Sequence, residues 1–174
     1  CMSLLCVKGE LIFDNVVGNT SPILTLSALN DLIQFTKRVS LHGQVGAVTV
    51  WGRDVNQKFI QGEASRVSVG GTGKSAVQIA SKFAKAARRE YCEYVRTGEE
   101  CKKLAQARLD SLARGFVSGE GCCLGIPELI PGRYIAIKDV DGDTEGSYFI
   151  SKVRHCFDSK GGYLTIFEVK GAKS

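Results

Sequence analysis

From Arg133 onward the chain alternates β-patterned runs with tight polar turns: RYIAIKDV, DGDTEG, SYFISKVRHCF, DSKGG, YLTIFEVKG. In the last run Tyr163, Thr165, Phe167 and Val169 share one face, the period-two signature of a strand. Turns this short join antiparallel neighbours, because a parallel return needs a crossover of a dozen residues or more. The C-terminal part is therefore expected to be three antiparallel strands. No βαβ alternation runs through the chain, which points to an α+β or barrel fold rather than a doubly wound sheet.

The first half reads the same way. LLCVKGELIF holds two apolar runs around Lys8-Gly9, a hairpin signal. Residues 23–26 suit a short strand, and 28–35 suit either a helical turn or a bent strand. In VSLHGQVGAVTVWGRD, Val45, Ala47, Thr49 and Trp51 fall on one face and Val48 and Val50 on the other. KFIQGEAS is the expected partner strand, with RDVNQK as the turn. Residues 75–89 carry an apolar helical face of Ala76, Ile79, Ala80, Phe83, Ala84 and Ala87, and 90–96 are β-favouring. Thr97 and Glu100 have the spacing of a capping box. The helix they open has an apolar stripe of Cys101, Leu104, Ala105, Leu109 and Leu112, and closes at Gly115. The expected organisation is a β-rich part over 1–65, a Gly-rich linker, helix and short strand over 66–97, and a helix with antiparallel strands over 98–174. Strands at 45–51, 133–139, 147–157 and 162–170 are expected to form one barrel-like sheet, with the helix near 98–114 packed outside it.

Composition narrows the function classes. A chain of 174 residues with 44% hydrophobic and 24% charged residues is ordinary globular protein of one or two domains. No run of eighteen apolar residues provides a membrane span. The start lacks the basic leader and cleavage pattern of a signal peptide, and the strand-like pattern directly after Cys1-Met2 suits a piece of a longer protein. The net charge is +5, spread along helix faces without the aromatic interleaving of a nucleic-acid footprint. Seven cysteines at irregular spacing, with His42 and His155 far apart, do not make a zinc site. They read as reduced, mostly buried thiols.

Three stretches imitate chemistry. Gly71-Thr72-Gly73-Lys74-Ser75 resembles the end of a phosphate loop, but Ser68 stands where the first glycine belongs. Asp139, Asp141, Asp143 and Glu145 imitate a calcium loop, but Thr144 and Ile150 occupy the positions of its glycine and its bidentate glutamate; a hairpin turn is expected. His155 and Cys156 are adjacent on a strand and so point to opposite faces, which separates a would-be nucleophile from its base. Cys122 and Cys123 read as packing residues near a turn, and Trp51 and Tyr134 as core or interface aromatics. No set of converging groups suggests catalysis, a metal or a cofactor.

Several glycines and their neighbours fall in a recognisable order. They are Gly119 with Gly121 after LAQARLDSLARGF, Gly125 with Pro127 and Leu129, Gly132, Gly146 with Tyr148, Arg154-His155, and Gly162-Tyr163-Leu164-Thr165. Upstream, VGAVTVWGRDVNQKFIQGEA holds Trp51-Gly52 in the reverse of the usual Gly-Trp order. Over nearly the whole chain this string resembles the late control protein D family of phage tails. That family includes the hub portion of type VI secretion spike proteins and the baseplate hubs of Mu-like phages and myophages. The resemblance implies an α+β, β-rich fold with barrel-like antiparallel sheets of the tube-forming tail-hub type and one or two helices. It also implies a structural, non-enzymatic role: three copies forming a ring of near-sixfold symmetry that links the tail tube to the spike. The implied partners are further copies and the tube and spike proteins, with no membrane, and DNA only as passing cargo. The chain would sit in the cytoplasm of the producing cell and then in a virion or tail-like particle. Rival expectations are a nucleotide-binding enzyme using Lys74 and a β-barrel module for wall glycan or another ligand.

Overall fold

The computed structural model describes residues 3–7, 9–14, 20–69, 73–83, 86–159 and 161–173. Its elements in chain order are β1 (Ser3–Val7), β2 (Glu10–Asp14), β3 (Pro22–Ser27), β4 (Leu32–Val39), β5 (Ala47–Arg53), β6 (Phe59–Ala64), α1 (Ala76–Phe83), β7 (Ala87–Tyr91), α2 (Gly98–Ala113), β8 (Val117–Leu124), β9 (Tyr134–Lys138), β10 (Gly146–Asp158) and β11 (Gly162–Gly171). The fold is α+β and β-rich, with a curled half-barrel sheet.

Six strands pair in the order β3-β9-β10-β11-β8-β4. The curl follows from one short connection. β3 and β4 lie at opposite edges of this order, yet only residues 28–31 separate them. Laid flat, the two edges would stand about 24 Å apart at roughly 4.8 Å per strand. Four linking residues reach at most about 18 Å, so the sheet has to bend until its edges approach. The linker ties both edges: the Ala28 N–H donates to the Lys138 carbonyl at the end of β9 (3.1 Å), and the Leu124 N–H at the end of β8 donates to the Asp31 carbonyl (3.1 Å). Inside the curl lies an apolar core that includes Leu26, Phe116, Leu129, Ile135, Ile150 and Phe167, all essentially inaccessible to solvent.

A second sheet pairs in the order β6-β5-β7. α2 packs on one face of it, against β5 and β6. Val48 and Val50 of β5 meet Cys101, Ala105 and Leu109 of α2 in a separate core. β1 and β2 form a third, two-stranded sheet.

The three C-terminal strands, the Lys8-Gly9 hairpin and the β5–β6 pair stand where the sequence patterns put them. Other expectations are corrected. The strand containing Ala47–Trp51 does not join the C-terminal strands; it centres its own sheet, and α2 covers that sheet rather than the half-barrel. Of the helix expected over 75–89, Ala76–Phe83 form α1 and Ala87 already belongs to β7, while Ala84 and Lys85 lie outside the described residues; the strand expected over 90–96 is β7, which starts three residues earlier and ends five residues earlier. β7 runs parallel to β5, an alignment that the alternation of apolar residues alone does not encode. β3 likewise runs parallel to β9. Residues 28–35, open between a helical turn and a bent strand, hold a turn over 28–31, with the Asp31 N–H on the Ser27 carbonyl (3.0 Å), followed by the start of β4, whose register shifts between Leu32 and Gln34. Of the described cysteines only Cys101 and Cys123 are fully buried, and all are free thiols.

Thr97 begins α2 as its spacing requires. Its hydroxyl accepts from the Glu100 N–H (3.2 Å), and the Glu100 carboxylate accepts from the N–H groups of Thr97 (3.2 Å) and Arg96 (2.7 Å). The Arg96 N–H chiefly, with the Thr97 contacts, holds the Glu100 carboxyl below the usual glutamate range. A folded value below the unfolded one means that stability is gained above the unfolded value of 4.5 and lost as pH falls through the folded one. Thr97→Ala is expected to cost about 1 kcal/mol in chemical denaturation. Glu100→Gln is expected to flatten the acid side of the stability profile; an unchanged slope on that side contradicts the box.

Candidate functional site

The glycine-and-aromatic string collects in two places on the half-barrel. The first is a pin that fastens the loop after β8. The Gly125 N–H donates to the Tyr163 carbonyl (2.9 Å), and a Cβ on Gly125 would fall 1.9 Å from the Tyr163 ring. Pro127 follows Ile126 in a turn closed by the Leu129 N–H on the Ile126 carbonyl (3.2 Å), the position where a fixed φ suits a turn. Thr165, fully buried, accepts the Ile126 N–H on its hydroxyl (3.1 Å). His155 stands opposite Thr165 in the β10–β11 ladder. Its Nδ1 is 3.1 Å from Thr165 Oγ1 and 3.0 Å from the Tyr163 hydroxyl, and its Nε2 is 3.2 Å from the Leu129 carbonyl. A carbonyl only accepts, so Nε2 carries the proton, and in the neutral ring Nδ1 accepts from a hydroxyl. His155 is thus a clamp between two strands and a loop. Cys156 pairs with Leu164 on the other face of the ladder.

Thr165→Val tests the pin. It keeps the shape but orphans the Ile126 N–H. A loss of about 1–3 kcal/mol is expected in urea unfolding, and a neutral substitution shows that the loop holds without it.

The second place is the core face of β8. Gly119 and Gly121 face inward and leave room for rings: a Cβ on Gly121 would meet Phe167 at 2.3 Å, and one on Gly119 would meet Phe35 and Val169 at 3.0 Å. Phe35 lies 6.3 Å from the Phe167 ring and 5.5 Å from that of Tyr148. The Tyr148 hydroxyl donates to the Thr144 carbonyl (2.5 Å), and burial pushes its pKa up to about 12. Gly132 and Gly162 take positive φ at turns, and Gly146 opens β10 opposite Ile137.

Trp51 and Gly52 lie elsewhere, on β5. Gly52 faces inward, where a Cβ would meet Val95 at 2.6 Å and the Cys92 carbonyl at 2.7 Å. Trp51 faces outward, 4.8 Å from the Tyr91 ring and 5.9 Å from that of Phe59. Thr49, Trp51, Gln61, Glu63, Arg89 and Tyr91 line a cleft of about 840 Å³ on this face. The sequence marked Trp51 but not the trough, because Arg89 and Tyr91 reach it only through the parallel β5–β7 pairing. Tyr134, the other aromatic expected in a core or an interface, is buried.

The stretches that imitate chemistry are tied to structural tasks. Gly71 and Thr72 lie outside the described residues. The Ser75 hydroxyl accepts from the Gln78 N–H (3.3 Å), and the Gln78 side chain returns to the Ser75 N–H (3.0 Å), so Ser75 caps α1. Lys74 shares a cleft of about 410 Å³ with Lys37, Lys173, Asp143, Glu145 and Tyr148. Lys37 donates to the Asp143 carbonyl. Asp139 accepts from the Ser27 hydroxyl (2.5 Å), and Glu145 accepts from the Asp139 N–H (2.8 Å), which folds the acidic stretch into a turn. Cys122 and Cys123 lie at the end of β8, just before the turn at Ile126–Leu129, and Cys123 is packed in the core. Burial first, then Cys122 and Asp31, push the Cys123 thiol up to about 11, far from a reactive thiolate. Among the described residues no group of three or more His, Cys, Asp and Glu is placed to hold a metal ion, and no helix is long and apolar enough to cross a membrane.

The family model described as the Alg8 N-terminal domain matches residues 2–158. The chain belongs to that family. Its name differs from that of the late control protein D family, which the motif string resembles. No curated protein matches the sequence. Among solved structures, a prophage MuSo2 43 kDa tail protein from Shewanella oneidensis is similar at TM-score 0.71 and 14% identity, over 97% of this chain and 49% of that one. A tail protein from Neisseria meningitidis MC58 is similar at TM-score 0.67 and 11% identity, over 94% of this chain and 48% of that one. A chain from the virion of a native gene transfer agent particle is similar at TM-score 0.60 and 15% identity, over 97% of this chain and 36% of that one. The chain therefore has a fold found in phage tail proteins and spans about half or less of the length of these structures.

Proposed function

We propose that this chain is a structural part of a phage or phage-derived contractile tail: the ring-forming portion of a baseplate hub that links tail tube to spike. The observation that carries the reading is the likeness of nearly the whole chain to a prophage tail protein, to a tail protein from Neisseria meningitidis and to a chain of a gene transfer agent virion. The use of the motif residues supports it. His155, Tyr163, Thr165 and Gly125 hold backbone to backbone, and Gly119 and Gly121 make room for packed rings. Each fixes shape. In this reading three copies close a ring around the passage for DNA, with tube and spike proteins as neighbours. The chain is made in the cytoplasm of the producing cell and ends in the particle.

The test is made in that cell. The chain is epitope-tagged, particle production is induced, and tails are purified and labelled with gold. Label at the tube–spike junction, at about three copies per tail as threefold closure requires, is the expected result. Intact particles without label, formed equally well after deletion of the gene, overturn it.

A further inference from the structure

Two cysteines face one apolar space under α2. Cys92 follows β7 and keeps that strand's pairing one residue further: its N–H donates to the Trp51 carbonyl (2.9 Å). Glu90 of β7 faces α2, where its carboxylate reaches Arg108 (3.3 Å), and Tyr91 faces away, beside Trp51. By the same alternation Cys92 faces α2. Cys101, in the first turns of α2, is 0% exposed and packs in the cluster between helix and sheet. Cys92 is half-buried and packs against that same cluster.

Two glycines bring the pair together. Val50 pairs with Gly62 and Gly52 with Ile60, so Gly52 and Gly62 are diagonal neighbours on the face under α2. A Cβ on Gly52 would meet the Cys92 carbonyl oxygen at 2.7 Å, and one on Gly62 would meet the Cys101 carbonyl carbon at 2.7 Å. Each cysteine's backbone thus rests on one of these glycines. Diagonal sites stand about 7–8 Å apart and closer at Cβ, and a disulfide joins Cα atoms as much as about 6.8 Å apart. Burial first, then Cys92, push the Cys101 thiol up, and Cys92 acts on it more strongly than Glu100, its neighbour in the chain. The other described cysteines stand elsewhere: Cys6 on the β1–β2 hairpin, and Cys122, Cys123 and Cys156 on the half-barrel.

We propose that Cys92 and Cys101 are a reversible thiol–disulfide pair that ties the end of β7 to the first turns of α2. The oxidant is a small-molecule disulfide such as oxidised glutathione. Cys92, the more accessible of the two, attacks it as the thiolate; a mixed disulfide forms on Cys92 and one small thiolate leaves. The Cys101 thiolate then attacks the Cys92 sulfur, and the second small thiolate leaves. Two protein thiols become one disulfide, and the oxidant becomes two thiols that take up the two protons. This chemistry does not depend on the hub reading. That reading gives it an occasion: a chain made in a reducing cytoplasm and carried by a particle into an oxidising medium acquires the bond after release. The link holds α2 on β5 and β6 from the end where the Thr97 capping box begins the helix.

The full chain is incubated with oxidised glutathione until exchange stops, alkylated in denaturant and digested with trypsin. Cleavage after Arg89, Arg96 and Lys102 puts the two cysteines on separate peptides, residues 90–96 and 97–102. The expected product is those two peptides joined by one disulfide within a single copy, and separated again by dithiothreitol. Cys6, which is exposed, is expected to carry a glutathione adduct and so shows that the oxidant has acted. The oxidised chain is expected to unfold at a higher urea concentration than the reduced one. Cys92→Ala, a change at a half-buried position, is expected to abolish that shift. Cys101 recovered alkylated, or carrying only glutathione, in a chain whose Cys6 has reacted overturns the pair. So does a link from Cys92 or Cys101 to any other cysteine. A urea midpoint that oxidation leaves in place, or moves equally in Cys92→Ala, overturns it as well, because no bond then ties β7 to α2.

Discussion

Gly62→Ala is expected to lower stability by about 3 kcal/mol, at the upper end for an overpacked core. A Cβ at position 62 would lie 2.2 Å from the Lys102 backbone nitrogen and 2.7 Å from the Cys101 carbonyl carbon. Those atoms belong to the first turns of α2, which the Thr97 box fixes in place. Backbone cannot swing aside as a side-chain tip can, so the helix has to lift from β5 and β6. Lifting it loosens Cys101, Ala105 and Leu109 from Val48 and Val50. Gly142→Ala is the control: nothing lies within 4 Å of its Cβ, and a change within about 0.5 kcal/mol is expected. Equilibrium urea unfolding of both variants decides. Equal midpoints for the two would mean that α2 does not sit where the close approach requires.

Phe167→Ala is expected to cost about 3–5 kcal/mol. The ring is 1% exposed, belongs to the half-barrel core, and lies over Gly121 and beside Phe35. Its removal leaves a void bounded by a glycine that has no side chain to fill it. Gly121→Ala alone is also expected to destabilise, by about 1–3 kcal/mol, because the new methyl and the ring compete for one space. The two changes are then coupled. Adding Gly121→Ala to Phe167→Ala should cost less than it costs in the wild type, since the methyl enters the emptied space. A double-mutant cycle measures this directly. Strict additivity would show that Gly121 is not there to admit the ring.

These positions show what the sequence made legible. Turn glycines, the capping box and period-two faces are local signals, and they placed the C-terminal hairpins, the β5–β6 pair and α2. His155 was readable as a hydrogen-bonding strand residue separated from Cys156, because facing in a strand depends only on parity. What escaped was long-range. Nothing near Ala87–Tyr91 shows that it lies parallel to β5, and without that pairing Trp51 has no Tyr91 beside it. The assignment of α2 to the smaller sheet depended on Gly62, a single glycine in a strand whose use appears only once its neighbour is known. The Lys74 stretch is ambiguous for a related reason: small residues before a helix serve phosphate binding and helix capping alike, and Ser75 with Gln78 performs the second.

The four-residue link between β3 and β4 also bears on how the protein is made. Both strands emerge early from the ribosome, yet among the described residues each one's ladder partner is a strand that is translated much later, β9 and β8 respectively. At ordinary elongation speeds the nascent chain waits roughly 5–20 s for those partners. Throughout that wait Ile23-Leu24-Thr25-Leu26 is an apolar, β-prone segment with no mate. A chaperone that shields nascent apolar segments would have its greatest influence on yield during this interval, before Tyr134–Lys138 leaves the exit tunnel.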